Sequence, residues 1–335
     1  MKPAPVKVLP AVDSLRALSR WRWAEVAAWL AIGATLLFFP SHAALINEIA
    51  ILALFALSLD LILGYAGIVS LGHAAFFGTG AYAAALFAKL VMPDPLVGLA
   101  VGTAAAALLG LLTSPMIVRG TDLTRLMVTM GVALVLLELA NKFDGITGGA
   151  DGLQGVVMGP LFGTFDFDLG ARVASCYSVA VLFIAFLLAR RLVHSPLGLS
   201  LQALRDNRLR VTALGLSVPA RLATVYTLSA ALAGASGALL AQTTGFASLD
   251  VLEFHRSADV MLALIIGGAG WLWGGLVGAV AFKVLHDLLA AATPQYWTFW
   301  IGAFLVLLMR VGRDRLMRPW TWFRRDGATR GGDHG

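Results

Sequence analysis

His73 is the side chain whose type and position most readily suggest chemistry, because it lies inside a long apolar segment. It follows Gly72 in the stretch from Gly64 to Gly80, which holds five glycines in 17 residues. An ionisable group at membrane depth normally faces the interior of a helix bundle or a wet cavity. Glycines at this density indicate close backbone approach or a break in the helix. His73 therefore either lines a pathway or serves as a buried hydrogen-bonding residue between helices.

A second glycine-rich segment, residues 144–155, has no apolar periodicity. It is not a phosphate-binding loop, because no Gly-Lys-Ser/Thr follows it and no strand precedes it. It also lacks the alternating acidic residues of a calcium loop. Two interpretations remain: a tight turn, or a surface that docks an external protein. Either one would depend on the same four residues, Gly148, Gly149, Asp151 and Gly152.

The third segment, residues 194–220, is basic and has the pattern of a short amphipathic helix. Ser195 and Pro196 predict a helix N-cap followed by proline in the first turn. One apolar stripe is predicted to contain Leu197, Leu201, Leu204, Val211 and Leu214. Off that stripe lie Arg205, Asp206, Asn207, Arg208 and Arg210. Gly215 predicts the helix end. Such a helix rests on a lipid surface or fits a groove in a cytoplasmic partner.

The motifs of nucleotide, metal and hydrolase chemistry are missing from the sequence. There is no Gly-Lys dipeptide and hence no Walker A motif, and no His-Glu-x-x-His, Cys-x-x-Cys or Gly-x-Ser-x-Gly motif occurs. His286, Asp287 and His73 are the plausible acid–base groups, and no nucleophile accompanies them. We expect no catalytic residue, no metal and no cofactor, and any ATP energy would come from another subunit.

Composition defines the elements that must position these segments. The chain is 59% hydrophobic and 13% charged, with a mean hydropathy of +0.82, whereas about a quarter of the residues of a soluble domain are charged. The apolar surface must therefore face a lipid bilayer. The net charge of +6 lies in short patches between apolar runs, a pattern typical of loops at an anionic cytoplasmic leaflet, so nucleic acid is not an expected partner.

Apolar stretches long enough to be considered as spans occur at 24–40, 45–63, 68–92, 95–118, 123–140, 171–193, 221–244, 258–270, 273–292 and 296–312. Twenty of the 25 Lys and Arg residues lie in four patches. All four patches fall on the cytoplasmic side if the N-terminus is inside and the number of spans is even. The predicted fold class is all-α, a polytopic transmembrane helix bundle of about ten spans with both termini cytoplasmic. Glycines at 258–292 leave eight or nine as alternatives.

This topology predicts the organisation of the chain. Residues 1–23 form a cytoplasmic tail, residues 24–312 a transmembrane domain, and residues 313–335 a basic cytoplasmic tail. Within the domain, residues 141–170 form a loop on the outer side and residues 194–220 a cytoplasmic helix region. Ser41-His42-Ala43 after the first apolar run imitates a signal-peptide cleavage site. The run and the tail before it are longer than a signal peptide requires, which favours a retained span.

Several of these segments, in order along residues 45–310, resemble one known family. They are Leu63–Gly67, Ser70–Gly78, Thr147–Leu153, Arg205–Asn207, Ala213–Gly215, Ser229–Leu239, Gly267–Gly270 and Trp273–Gly274. They are similar to the signature of permease subunits of branched-chain amino acid ABC importers, specifically the LivM type. The block Ser-Leu-Gly-His-Ala-Ala-Phe-Phe at 70–77 is highly specific. The chain departs from the family at Thr212, where Glu is frequent, and at Arg221-Leu222, where Tyr-Lys is common.

The resemblance implies a multi-pass protein of the bacterial inner membrane that moves branched-chain or hydrophobic amino acids. Its implied partners are a second homologous permease, two ABC ATPase subunits, a periplasmic substrate-binding protein and the lipid bilayer. It also favours partner docking over lipid contact for residues 194–220. The residues that would contact the ATPase are Ala203, Arg205, Asp206, Asn207, Ala213, Leu214 and Gly215.

Other transport functions remain open at this point. The substrate pathway is predicted to include Ser70, Gly72, His73, Phe76 and Phe77. The same architecture imports urea, short amides or aromatic acids, and a few pocket side chains would decide among them. An ion-coupled secondary transporter would instead need ionisable groups within the membrane. Those available are Glu138, Asp259, Lys283 and Asp287.

Overall fold

A computed structural model describes residues 23–120, 122–167, 170–296, 299–304 and 306. Across these residues the regular secondary structure is helical, and β pairing is limited to two isolated bridges. The all-α prediction is confirmed. The two predicted tails lie outside the described residues, apart from Trp23, and so does most of the last apolar stretch, 296–312.

Eleven helices between Trp23 and Ala292 are labelled in chain order. They are α1 (Trp23–Phe38), α2 (Ala43–Asp60), α3 (Ala74–Leu90), α4 (Pro95–Arg119), α5 (Asp122–Lys142), α6 (Arg172–Val193), α7 (Pro196–Asp206), α8 (Arg208–Ala213), α9 (Val218–Thr244), α10 (Phe254–Gly267) and α11 (Leu272–Ala292). A π-helical turn, Leu61–Tyr65, continues α2. Single turns occur at Pro40–His42, Asp144–Thr147, Gly149–Asp151 and Leu249–Leu252.

Six helical segments of the described chain are long and apolar enough to cross a membrane. They are Pro40–Tyr65, Pro95–Val118, Leu123–Lys142, Arg172–Val193, Val218–Thr244 and Leu272–Ala292. The shorter helices α1 and α3 are also apolar. Helix α10 has 14 residues and rises about 21 Å, less than the roughly 30 Å of a bilayer core. A polytopic helical bundle is therefore confirmed, and the count of ten spans stays a prediction.

Local sequence accounts for the helix ends. The Asp94 side chain accepts hydrogen bonds from the backbone N–H groups of Leu96 (2.8 Å) and Val97 (3.0 Å), and Pro95 occupies the first turn of α4. Gly245 ends α9 in the left-handed conformation, with φ of 67°, which a residue with a side chain rarely adopts. These local signals set the N-terminus of α4 and the C-terminus of α9.

Helix α9 lies at the centre of the core and packs most extensively on α4, α3 and α2. Its small residues allow backbones to meet: a methyl group at Gly234 would overlap Ala106 of α4, and one at Gly237 would overlap the Phe77 carbonyl of α3. Gly80 of α3 lies against the Gly234 backbone in turn. Such close approach gains van der Waals contact, the main favourable term available between helices in lipid. Gly80 of α3 therefore serves the close packing of α3 on α9.

The predicted helix at 68–92 starts later in the structure, at Ala74, because residues 66–73 are not helical. Gly67 has φ of 69°, and a methyl group at Gly72 would overlap the carbonyl oxygen of Thr129 in α5. The first backbone N–H of α3, that of Ala74, donates to Ser257 Oγ at 2.8 Å. Glycine density thus produces both predicted outcomes here, a break and a close approach.

Helix α1 is attached to the bundle by one ion pair and an aromatic cluster. The Arg190 guanidinium at the end of α6 pairs with the Glu25 carboxylate, and both side chains are largely buried. The Trp29 ring contacts Phe183 at 4.8 Å and Phe186 at 5.2 Å between ring centroids. The first predicted span is therefore a packed helix of the bundle.

The chain forms two compact units, which divide inside α11. The first ends at Ala281 and contains helices α1 to α10 and the start of α11. The second begins at Phe282, and its described part is helical to Ala292 and again at 299–304. Within it, the Asp287 carboxylate lies 3.0 Å from both Lys283 Nζ and His286 Nδ1.

Candidate functional site

His73 lies fully buried at the N-cap of α3, where α2, α3 and α9 meet. Its Nε2 is 2.9 Å from Ser58 Oγ and 3.4 Å from Ser229 Oγ. Ser229 Oγ also donates to the Ser58 carbonyl at 2.5 Å. The imidazole stacks on Phe55 with ring centroids 5.5 Å apart and planes 11° apart. The ring is therefore a polar junction between three helices.

The other predicted pathway residues surround this junction. Ser70, Phe76 and Phe77 are each less than 4% exposed. Phe76 meets the Tyr226 ring edge-on at 5.3 Å, and Phe77 contacts Phe55 at 4.6 Å. Gly72, also buried, is the point of contact with α5. The structure brings all five predicted residues together inside the packed core of this chain, and their role in a substrate pathway stays a prediction.

Asp60, at the end of α2, was missed by sequence reasoning. It is 1% exposed, and its Oδ1 accepts a hydrogen bond from the Gly270 N–H at 2.7 Å. Its Oδ2 is buried and has no hydrogen-bond partner within the described part of the chain. A buried carboxylate with one unsatisfied oxygen is costly, and such groups often have functional roles. Its position inside the apolar run 45–63 was the signal that could have found it.

Arg205, one of the predicted ATPase contacts, turns its guanidinium toward the bundle, and its side chain is 48% exposed. Its guanidinium Nη1 donates to the carbonyl oxygen of Gly64. Its side-chain stem crosses Gly67, where an added methyl group would lie 2.7 Å from Arg205 Cγ. Nη1 also lies 3.1 Å from the position of a methyl group at Gly270. The α7 helix is thus connected to both glycine-rich breaks, one after α2 and one before α11.

The predicted single helix of residues 196–215 is two helices in the structure. Asn207 has an extended backbone (φ −161°, ψ 102°), and its Oδ1 accepts from the Arg210 N–H at 3.1 Å, which starts α8. The apolar stripe is confirmed at Leu201, Leu204 and Val211, which are buried. It is wrong at Leu214, which is 76% exposed. The reason is the non-helical backbone at Asn207, after which Leu214 no longer faces the same side as the apolar stripe of α7.

The surface of α7 and α8 that faces away from the bundle contains most of the predicted ATPase contacts. Exposed there are Ala203, Asp206, Asn207, Ala213, Leu214 and Gly215. Leu209 is 82% exposed on the same element and was not in the predicted set. Two large apolar side chains so open on a short polar helix pair are typical of an interaction surface.

The glycine-rich loop lies at the other end of α6 from α7. Gly148, Gly149 and Gly152 all have positive φ (79°, 53° and 71°). A methyl group at Gly152 would lie 2.7 Å from the Phe246 ring, and Leu153 N donates to the Ala247 carbonyl at 2.7 Å. This geometry is that of a tight turn pinned to the segment after α9. Asp151 is exposed, and a docking role stays a prediction.

A bundle of apolar helices long enough to cross a bilayer defines a polytopic membrane protein. Residues 41–309 match the family described as "Branched-chain amino acid transport system / permease component". The match covers most of the chain, which therefore belongs to this family of transporter subunits. The chain is accordingly an integral protein of the bacterial inner membrane.

Two curated relatives are similar to it over 292 residues, which is 79% of this chain and 67% of each relative. Both are named "High-affinity branched-chain amino acid transport system permease protein LivM". The protein from Salmonella typhimurium is 32% identical to this chain. The protein from Escherichia coli strain K12 is 30% identical. No solved structure matches the chain.

Proposed function

We propose that this chain is the permease subunit of an ABC importer that moves branched-chain or other hydrophobic amino acids across the inner membrane. ATP hydrolysis in partner subunits would supply the energy, because no nucleotide motif occurs in this chain. The observation that carries the proposal is the family match over residues 41–309. The named substrate of both relatives supports the choice of branched-chain amino acids.

The proposed topology has ten spans with both termini in the cytoplasm. Four basic patches support it, because an even number of spans leaves each of them on the cytoplasmic side. Residues 141–170 would then be periplasmic and residues 194–220 cytoplasmic, at opposite ends of α6. The short helix α10 and the stretch 296–312 would complete the count. The tails 1–23 and 313–335 would lie in the cytoplasm.

The exposed face of α7 and α8 is proposed as the coupling surface for an ABC ATPase. Its outward residues are Ala203, Asp206, Asn207, Leu209, Ala213, Leu214 and Gly215. Leu209 and Leu214 would enter a groove of the ATPase, because open apolar side chains gain most from burial by a partner. Rigid-body motion of the ATPase would then push the two helices against the bundle.

The remaining partners follow from the same proposal. A second homologous permease would complete the transport pathway, two ATPases would bind below, and a periplasmic binding protein would deliver substrate above. The turn at Gly148–Gly152, with Asp151 exposed, is a candidate contact for the binding protein. Ser70, Gly72, His73, Phe76 and Phe77 are the proposed pathway residues. Their support is that polar groups lie at membrane depth beside a break in the helix.

Reconstitution tests the function. The chain is purified with its partner permease and ATPases, placed in liposomes with the binding protein, and supplied with ATP and radiolabelled leucine. We expect leucine uptake that depends on ATP and on the binding protein. Uptake of urea, a short amide or an aromatic acid in place of leucine would reassign the substrate. Uptake by the chain alone under an ion gradient would overturn the ABC assignment.

A surface test addresses the coupling helices. Replacing both Leu209 and Leu214 by Ala should weaken co-purification of the ATPases at least roughly tenfold, because central apolar anchors dominate interfaces. Leu188→Ala is the control, since Leu188 is a leucine of α6 that is 60% exposed and lies outside the coupling surface. Equal ATPase recovery from the double variant and the control would exclude α7–α8 as the docking surface.

Gly215→Pro should uncouple hydrolysis from uptake, because Gly215 has φ of 75° and donates its N–H to Thr212.

A further inference from the structure

We propose that Arg205 and Asp60 form the link that carries movement of α7 into the bundle, with Arg205 exchanging between the Gly64 carbonyl and the Asp60 carboxylate. This inference rests on the proposed function above and deepens it. Arg205 is then a positioning residue that acts inside this chain, while the outward face of the same helix serves the ATPase.

The first observation is the unsatisfied half of a buried carboxylate. Asp60 Oδ1 accepts from Gly270 N–H at 2.7 Å, across 210 residues of sequence. Asp60 Oδ2 has no partner in the described residues although Asp60 is 1% exposed. A buried polar atom without a partner costs free energy that another arrangement recovers. Oδ2 is therefore an acceptor that is unused in the state described here.

The second observation is a donor within reach. Arg205 Nη1 donates to Gly64 O, and Gly64 is in contact with Asp60: a methyl group there would overlap Asp60 Oδ1. Arg205 and Asp60 interact electrostatically. The Arg205 side chain is 48% exposed, so it keeps freedom to move. A guanidinium has five N–H donors in a planar fork, which suits a carboxylate better than a single carbonyl.

The third observation is that the backbone around this pair is built to change shape. Leu61–Tyr65 forms a π-helical turn, a feature that often marks functional positions. Gly67 and Gly270 have φ of 69° and 82°. A methyl group at Gly64 would also overlap Gly270 N, so the two glycine-rich breaks touch at this point. Positions of this type absorb the dihedral changes of hinge motion.

These observations together indicate a two-position latch. In the observed position, the Arg205 guanidinium donates to the Gly64 carbonyl, and the Asp60 carboxylate accepts from the Gly270 N–H. When α7 shifts, Arg205 leaves the Gly64 carbonyl and pairs with Asp60 Oδ2. This pairing draws Asp60 away from the Gly270 N–H. The glycine-rich segment between α10 and α11 then loses its hydrogen bond to α2. Each position satisfies one polar group at the expense of another, because the Gly270 N–H is paired in the first and Asp60 Oδ2 in the second.

Uptake per ATP hydrolysed in the reconstituted complex tests the latch. Arg205→Gln should retain bound ATPases and their hydrolysis but lower leucine uptake per ATP by roughly tenfold, the usual size of a coupling between sites. Asp60→Asn should lower it similarly. The double variant should be no worse than either single variant, because both changes break one interaction. Arg205→Lys, which keeps the charge without the fork, should give an intermediate ratio.

Arg191→Gln is the matched control, since Arg191 is an exposed arginine at the end of α6 and lies outside the latch. It should keep the uptake ratio of the unmodified complex. An unchanged ratio in Arg205→Gln, or effects of the two single variants that multiply in the double variant, would overturn the latch. Loss of the ATPases from Arg205→Gln would also overturn it, by making Arg205 a docking contact. If the Arg205→Gln protein does not accumulate, uptake per ATP hydrolysed is measured with Asp60→Asn and Arg205→Lys instead. A lowered ratio in both supports the latch, and an unchanged ratio overturns it.

The failure of the latch is distinguishable from the failure of the proposed function. Absence of ATP-dependent uptake of leucine, urea, a short amide and an aromatic acid from both the unmodified complex and Arg191→Gln would refute the importer assignment itself. Uptake by both complexes, with an undiminished ratio in Arg205→Gln, would refute the latch alone.

Discussion

His73 and Asp60 are both buried and ionisable, and they flank the same break between α2 and α3, but their partners differ. His73 has two serine hydroxyls at Nε2 and an aromatic ring on its face, while its Nδ1 has no hydrogen-bond partner in the described part of the chain. Asp60 has one backbone donor, an unused oxygen and an arginine nearby. A histidine can be buried neutral with local partners, whereas a carboxylate near a cation has a second pairing available to it. Burial alone therefore does not distinguish a structural polar residue from a moving one.

The largest effect on stability is expected at Gly72, which lies in the break between α2 and α3. Gly72→Ala places a methyl group on the carbonyl oxygen of Thr129 and should lower the free energy of unfolding by about 3 kcal/mol, the upper range for overpacking. Gly131→Ala is the control, because nothing lies within 4 Å of an added methyl group there. It should be neutral or stabilising by up to about 1 kcal/mol. Thermal unfolding of the purified chain in detergent measures both, and equal midpoints would contradict the close packing.

His73→Ala should cost about 2 kcal/mol of stability, since it leaves a cavity and removes the partner of Ser58 and Ser229. The complex that does assemble should keep its uptake of leucine per ATP. Stability is read from thermal unfolding, and coupling from the liposome assay. A stable His73→Ala complex with lost coupling would place His73 with Asp60 among the moving groups.

Asp60→Asn should change stability by less than about 1 kcal/mol, because the Gly270 N–H keeps an amide oxygen as acceptor and a neutral NH2 group is cheaper to bury unpaired than the charged oxygen it replaces. The same variant should fail in coupling, the reverse of His73→Ala. Thermal unfolding of the two variants side by side checks the contrast. A larger stability loss in Asp60→Asn than in His73→Ala would contradict the proposed difference between the two residues.

The smallest effect is expected on the outward face of α8. Leu209→Ala should alter the free energy of unfolding of the isolated chain by less than about 0.5 kcal/mol, as at other surface positions. Leu204→Ala, at a position 1% exposed on the inward face of α7, should cost at least about 2 kcal/mol. Chemical denaturation in detergent compares them. Equal costs would mean that Leu209 packs within the chain rather than on a partner.

Much of the fold could be predicted because lipid and apolar side chains impose simple rules. Apolar runs predicted α2, α4, α5, α6 and α9 to within a few residues. Glycine density at 64–80 predicted a break or a close approach, and both occur. The start of α3 was wrong, since the choice between helix and extended backbone at 66–73 depends on Thr129, distant in sequence. The division of α7 from α8 was missed because the capping capacity of Asn207 competed with an apolar pattern that continued through it.

The predicted sites divide in the same way. The exposure of Asp206, Asn207 and Gly215 agrees with a partner surface, since polar residues off an apolar stripe face outward. The inward turn of Arg205 could not be predicted, because a long flexible side chain can fold toward either face of its helix. Asp60 was overlooked in an apolar run, and its importance depends on Gly270, which no local pattern connects to it.

Composition and hydrophobic periodicity by themselves determined a helical membrane protein with an amphipathic helical segment after its sixth apolar run, since these depend on transfer of side chains between water and lipid. Only the tertiary structure decided which polar groups are satisfied. Ser58 and Ser229 meet Nε2 of His73 and no described group meets its Nδ1, while Gly64 and Gly270 bring two breaks together and leave Asp60 half paired beside Arg205. Hydrogen bonding is short-ranged and directional, so it is fixed by the folded neighbours of a residue and not by its neighbours in sequence.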